Sequence, residues 1–106
     1  MTTRFQIFCG TDTNGHDVDA KQLALDLAAK YFPHGHSINE ETGRWQTADG
    51  AIVTEPTVVI TWVASDSQVQ THEAEVRVGR LAGEFKTRAF QEAVLITRQE
   101  IDAIFV

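Results

Sequence analysis

Residues 57–63 constrain the fold more than any other segment of this sequence. They read Thr, Val, Val, Ile, Thr, Trp, Val, and such β-branched and aromatic residues favour an extended strand. Apolar residues stand on both sides of the predicted pleat, which is typical of a central strand whose sheet is covered on both faces. Residues 5–9 predict a second strand of this kind. We therefore expect a sheet with two apolar faces.

Two amphipathic helices flank this central strand in the sequence. The first is expected to begin at an N-cap formed by Asp17 and to bury one apolar stripe that ends at Tyr31. The second is expected to begin at Asp66 or Ser67 and to reach about Thr87. Two helices are enough to cover one face of a small sheet.

The remaining segments predict further strands. Residues 37–45 and 51–53 resemble the two arms of a hairpin, and residues 93–97 and 101–106 are short apolar stretches separated by a polar trio. The resulting order is βαββαβ. It predicts a single α+β domain over residues 1–106, a ferredoxin-like two-layer sandwich with an antiparallel sheet and both helices on one face.

The alternation along the strands predicts what covers each face. Five side chains are expected to point at the helices: Phe5, Ile7, Val58, Ile60 and Trp62. Another apolar set then points away from them: Phe8, Val59, Val63, Ile104 and Val106. Each large apolar side chain left in water forgoes roughly 1.5–3 kcal/mol. We therefore predict a homodimer or homotrimer through the open sheet face, as in the dimeric ferredoxin-like barrel and the PII-like trimer.

Charge and composition exclude several classes of protein. Nine basic and fifteen acidic residues give a net charge of −6, which disfavours nucleic-acid binding. No apolar run approaches the ~20 residues that span a bilayer, so no membrane partner is predicted. The single cysteine, Cys9, excludes a disulfide framework and is expected to be a buried hydrophobe. We expect a cytoplasmic protein that needs no cofactor.

The chain contains several short motifs in this order: Phe32-Pro33-His34-Gly35, Gly43-Arg44-Trp45, Glu55 at the start of a strand, and Phe90-Gln91-Glu92-Ala93-Val94-Leu95. With these motifs the chain, from about Phe8 to Phe105, resembles a family of small bacterial and phage-borne proteins of unknown function. The resemblance implies a fold similar to PII and other ferredoxin-like domains. It implies no activity.

Six residues are candidates for ligand binding: Arg44, Trp45, Glu55, His36, Arg77 and Arg80. The Glu55 carboxylate is expected to pair with Arg44, and the alternative is a role as general base. Arg77 and Arg80 are expected to line a pocket for an anionic small molecule between subunits.

The other polar motifs are less specific. His36 and His34 have the spacing of a zinc or copper pair, but solvated loop histidines are the simpler interpretation and no metal site is predicted. Gln91 and Glu92 are expected to hold a loop through hydrogen bonds to backbone amides.

Two functional hypotheses fit these observations. The first is a non-enzymatic, homo-oligomeric binding or regulatory module, suited to a phage, that recognises a partner protein or a small anionic ligand. The alternative is a cofactor-independent enzyme of the dimeric ferredoxin-like barrel type, with Glu55, His36 or His72 as the acid or base. A pocket with a buried carboxylate among other ionisable groups favours the enzyme, whereas a filled core with apolar surface only at an interface favours the module.

Overall fold

The computed structural model describes residues 2–106. Its elements in chain order are β1 (Thr2–Gly10), α1 (Ala20–Tyr31), β2 (Ser37–Gln46), β3 (Ile52–Ser65), α2 (Thr71–Arg88) and β4 (Leu95–Ile101). The strands form one sheet in the order β2-β3-β1-β4, and every neighbouring pair is antiparallel. This confirms the predicted α+β ferredoxin-like order βαββαβ. No helix among residues 2–106 is both long enough and apolar enough to cross a membrane.

The core lies between the sheet and the two helices. Phe5 pairs with Trp62 and Ile7 with Ile60 across β1 and β3, and all four side chains are buried against the helices, as predicted. Both helices contribute their apolar stripes to the same cluster. Cys9 belongs to this cluster as well.

The helices also hold each other through Glu84 on α2. Its carboxylate accepts hydrogen bonds from the Lys30 ammonium at 2.9 Å and the Tyr31 hydroxyl at 2.8 Å, both on α1, and from the Arg88 guanidinium at 2.7 Å. Because these donors favour the charged form, they lower the pKa of Glu84 to about 2.

The start of α1 differs from the prediction. The N-cap is Asp19, whose carboxylate accepts a hydrogen bond from the Gln22 amide at 3.0 Å, so the expected cap at Asp17 is wrong. Asp17 lies instead in a tight loop, because the amides of His16 and Val18 donate to carbonyls within the loop. Two aspartates stand next to the helix, and only the second has the helical amides within reach.

The start of α2 also differs. The helix begins at Thr71, after the N-cap residue Gln70, so the expected start at Asp66 or Ser67 is wrong. The intervening residues form a turn in which two amides donate to the Ser65 carbonyl. The Asp66 carboxylate accepts a hydrogen bond from the Thr71 hydroxyl at 3.1 Å.

Two strands are longer than their sequence patterns indicate. β3 is continuous through Pro56, so residues 52–53 and 57–63 belong to one strand rather than two. The Pro56 carbonyl accepts from the Thr11 amide, just beyond the end of β1, so the missing proline N–H falls on a side where no strand needs it. β4 runs through the polar trio and ends at Ile101, so the separate strand predicted over residues 101–106 is wrong.

The sheet face that points away from the helices, here the rear face, is mixed rather than uniformly apolar. Phe8 pairs with Val59 on β3 and with Leu95 on β4, which makes one apolar row. The next row is polar, since Gln6 donates a hydrogen bond to the Thr61 hydroxyl at 3.3 Å. Val59 points to the rear but is only 1 % exposed. Ile104 and Val106 lie after β4 and not in the sheet, contrary to the prediction.

Candidate functional site

A cleft of about 510 Å³ opens on the rear side of the sheet where β1 ends. We call it the Glu55 cleft. The end of β1 and the following loop form one side, the β2–β3 hairpin forms another, and the segment before β4 closes the third. Its principal lining residues are Phe8, Gly10, Asp12, Trp45, Glu55 and Gln91.

The carboxylate of Glu55 is the most constrained polar group of this cleft. The residue is 9 % exposed, and its Oε2 atom accepts a hydrogen bond from the Asp12 amide at 2.8 Å. Gly10 leaves room for it, because a Cβ at that position would lie 2.5 Å from Oε1 of Glu55. In the described chain no hydrogen bond uses Oε1, so this oxygen is free to accept one from a ligand.

Gln91 holds the loop that follows β1. Its Nε2 donates to the Asp12 carbonyl at 2.6 Å and to the Ala89 carbonyl at 3.2 Å. Gln91 thus holds a loop, but through carbonyls rather than the expected amides, and within residues 2–106 Glu92 makes no such bond. Asn14 adds a hydrogen bond to the Phe90 carbonyl at 2.7 Å, and the His16 ring stacks on Phe90 at 3.6 Å between centroids.

Trp45 supplies the aromatic wall on the hairpin side. Its indole lies against Gly43, where an added Cβ would be 3.1 Å from Cζ2 of the ring and 2.6 Å from the Thr57 hydroxyl. The glycine therefore lets the ring lie flat on the strand. Trp45 is 38 % exposed, and Phe8 and Val53 extend the apolar surface beside it.

The charge of the Glu55 cleft has one sign. Its lining contains the carboxylates of Asp12, Glu55 and Glu92, and none of the lining residues is a lysine, arginine or histidine. A negative cleft favours cations and neutral polar molecules and repels polyphosphates. The arrangement therefore suits a neutral or cationic ligand with a flat apolar part.

The six predicted ligand-binding residues are divided between different places. Trp45 and Glu55 meet in the Glu55 cleft. Arg44 does not join them, because the register pairs it with Thr54 whereas Glu55 pairs with Gly43, so the two side chains point to opposite faces of the hairpin. The expected Glu55–Arg44 ion pair is therefore wrong.

The other three candidates lie at the far end of the sheet or outside both clefts. His36 and Arg77 line a second cleft of about 900 Å³, which we call the Trp62 cleft after the tryptophan that they surround. Arg80 is exposed on α2 and lines neither cleft. Within residues 2–106 no group of three metal-ligating side chains comes together.

Cys9 is the second-last residue of β1. It lies next to the Glu55 cleft, but its side chain is on the opposite face of the sheet, the one that meets the helices. Burial raises the pKa of its thiol to about 12. A thiol that stays protonated is a poor nucleophile, as expected for a buried apolar cysteine.

Comparison with known proteins assigns the sequence to a family and the structure to a fold. A family model described as "protein of unknown function (DUF3574)" matches residues 4–105. No curated protein matches the sequence.

Solved structures share the fold at low sequence identity. A phage SAM lyase in complex with S-methyl-5'-thioadenosine has a TM-score of 0.76 at 20 % identity, over 93 % of this chain and 81 % of the lyase. CutA from Synechococcus elongatus has a TM-score of 0.52 at 13 % identity, over 92 % and 75 %. The GlnK–ATP complex of B. subtilis has a TM-score of 0.50 at 12 % identity, over 92 % and 81 %. The fold is thus that of PII-like ferredoxin-like domains.

Proposed function

Since the chain belongs to the DUF3574 family, whose description states no activity, we propose a function from the Glu55 cleft itself: a homo-oligomeric protein that binds a small adenosine-type ligand. The observation that carries the proposal is the buried carboxylate of Glu55, fixed by the Asp12 amide and open to the cleft through its second oxygen. Burying a carboxylate costs free energy unless hydrogen bonds or an opposite charge compensate it. The position of Glu55 in the wall of a cleft, where a ligand can supply such a partner, therefore supports a binding role.

The shape and polarity of the cleft support a nucleoside. Its volume of about 510 Å³ lies within the ~300–1,000 Å³ of small-molecule sites. Trp45 and Phe8 offer flat apolar surfaces on which a purine can stack. The free oxygen of Glu55 accepts a hydrogen bond from a ribose hydroxyl or an exocyclic amine.

Two structures with this fold add support of a different kind. The phage SAM lyase is in complex with S-methyl-5'-thioadenosine, and GlnK is in complex with ATP. Both ligands contain adenosine. The carboxylates of Asp12, Glu55 and Glu92 favour a neutral or sulfonium adenosine over a triphosphate in this chain.

The rear face supports the oligomer. Leu95 is 49 % exposed at the rear, beside the half-buried Phe8. Beyond the end of β4, outside the sheet, Ile104, Phe105 and Val106 are exposed as well. A second copy that covers these side chains removes apolar area from water, which favours a homodimer or homotrimer. Because Phe8 and Leu95 also line the Glu55 cleft, that copy would border the cleft. Light scattering after size exclusion tests this part, and a clean monomer at micromolar concentration would contradict it.

Calorimetric titration tests the ligand. We expect S-methyl-5'-thioadenosine and S-adenosylmethionine to bind at least about tenfold more tightly than ATP. Glu55→Gln keeps the size of the side chain and an acceptor for Asp12, and it is expected to weaken binding about tenfold or more. Arg44→Ala, on the other face of the hairpin, is the matched control and should change nothing. Equal affinity for ATP, or no binding of any of the three, would overturn the proposal.

A second candidate function is catalysis at the same cleft. It is favoured by the combination of a buried carboxylate with two further ionisable groups, Asp12 and Glu92, in one cleft. The protein would then cleave S-adenosylmethionine by elimination: Glu55 removes a proton from Cβ of the aminobutyrate chain, a Cβ–Cγ double bond forms, and the Cγ–S bond breaks with its electron pair on the sulfur of S-methyl-5'-thioadenosine. Chromatography for S-methyl-5'-thioadenosine after incubation decides between the two. Turnover that Glu55→Gln removes would favour the enzyme, and binding without turnover would favour the module.

A further inference from the structure

The Trp62 cleft is a second concave surface that the proposed function does not use. It lies between the loop after α1, the last residues of β3 and the first turns of α2. The β1–β3 register pairs Gly10 of the Glu55 cleft with Thr57, and Phe5 with Trp62, so the two clefts lie at opposite ends of the paired strands. A ligand in one cleft therefore does not touch the other.

The charge of the Trp62 cleft is opposite to that of the Glu55 cleft. Among residues 2–106, its titratable lining residues are His34, His36 and Arg77, and no carboxylate lines it. This is notable in a chain with a net charge of −6, because acidic side chains prevail elsewhere on its surface. From this charge and its geometry we propose that the Trp62 cleft is a binding site for a small anionic ligand with a flat apolar part.

Arg77 is held in position for this role. Its guanidinium carbon lies 5.2 Å from the centroid of the Trp62 ring, a cation–π distance, and Trp62 is itself stacked on Phe32 at 4.4 Å between centroids. The ion pair of Arg77 with Glu73, at 3.3 Å, lies on the exposed side of α2. Exposed pairs of this spacing contribute little, so an incoming carboxylate or phosphate can compete for the guanidinium.

His36 supplies a second polar group. Its Nδ1 lies 2.9 Å from the Phe32 carbonyl oxygen, which can only accept, so Nδ1 carries the hydrogen. Nε2 is then left for a hydrogen bond with a ligand. The apolar part of the ligand has Pro33, Val69 and Phe105 to lie against. An aromatic phosphate or carboxylate meets all of these surfaces.

The two tryptophans allow each cleft to be observed by itself, because Trp45 lines the first and Trp62 the second. In the Trp45→Phe variant all tryptophan emission comes from Trp62. We expect phenyl phosphate and benzoate to change this emission saturably, and the stronger of the two identifies the preferred anion. Benzyl alcohol, which has the ring without the charge, should bind at least about tenfold more weakly.

Arg77→Gln provides the decisive comparison. It should weaken the anion about tenfold or more, whereas Arg80→Gln, a matched loss of charge on the same helix but outside the cleft, should have no effect. Amide NMR shifts of the unsubstituted protein at residues 34–37 provide a readout that does not depend on either variant folding. Equal losses in the two variants, equal binding of benzyl alcohol, or no saturable change would overturn the proposal. None of these outcomes bears on adenosine binding in the Glu55 cleft.

Discussion

Gly10 is the position at which the geometry of the Glu55 cleft makes its sharpest prediction. In Gly10→Ala the new methyl would lie 2.5 Å from Oε1 and 2.8 Å from Cδ of Glu55, and 2.9 Å from Oε1 of Gln91. The Glu55 carboxyl group is buried and tied to the Asp12 amide, so it cannot withdraw without losing that hydrogen bond. Overpacking of this kind costs about 1–3 kcal/mol.

Urea denaturation measures this cost. With a slope of about 2 kcal/mol per molar urea for a small domain, the midpoint should fall by about 0.5–1.5 M. Gly79→Ala is the matched control, because a methyl there meets no atom within 4 Å and the position is inside a helix. It should raise the free energy of unfolding by about 0.5–1 kcal/mol.

A double-mutant cycle identifies the cause. In a Glu55→Ala background the clash with the carboxylate is gone, so Gly10→Ala should cost at least about 1 kcal/mol less than it does in the unsubstituted protein. If Gly10→Ala were equally costly in both backgrounds, the tight packing of Gly10 against Glu55 would not be the reason for the glycine. The account of how this carboxylate is positioned would then be wrong.

Three further changes test the fold. Because the hydrogen bond from Lys30 and those from its neighbours lower the pKa of Glu84 from 4.5 to about 2, its stabilisation should be complete above pH 4.5 and disappear by about pH 2. Melting temperatures of Glu84→Gln should therefore be lower than those of the unsubstituted protein at pH 7, and a gap that persists at pH 2 would contradict this. Cys9, with a thiol pKa of about 12, should react with a disulfide reagent at pH 8 only after unfolding; rapid labelling of the native protein would refute its burial. Asp19→Ala should cost about 1 kcal/mol in thermal unfolding and Asp17→Ala close to nothing, and the reverse order would restore the cap at Asp17.

The sequence was sufficient to predict the order of the elements and the side of the sheet that meets the helices. The apolar alternation in β1 and β3 is strong, and it puts Ile7 and Ile60 on one face without further information. Because Arg98, Gln99 and Glu100 have no apolar alternation, the pattern predicts two segments where the structure has the single strand β4. An edge strand half open to water needs none, and Arg98 instead reaches Glu75 on α2.

The site could be predicted only in part. An aromatic residue in a hairpin and a carboxylate at a strand start predict Trp45 and Glu55 as ligand-binding candidates, and the structure brings both to the Glu55 cleft. The link from Glu55 to Asp12 spans 43 residues and the link from Gln91 to Asp12 spans 79, and no local pattern encodes such distances. The glycines were the sequence signal for this cleft, since a Cβ at Gly10 would collide with the Glu55 side chain and a Cβ at Gly43 with those of Thr57 and Trp45.

The peptide groups of Asp12 are clamped from two directions, with the amide bound to Glu55 on β3 and the carbonyl bound to Gln91 before β4. Residues distant in the chain thus meet at one point of the loop. Hydrogen exchange at this amide proton should accordingly be slow for a surface loop and should follow the opening of the hairpin rather than local fraying. Any ligand that draws the Glu55 carboxylate toward itself would break its hydrogen bond with the Asp12 amide. Exchange of that amide proton would then become faster when the cleft is occupied.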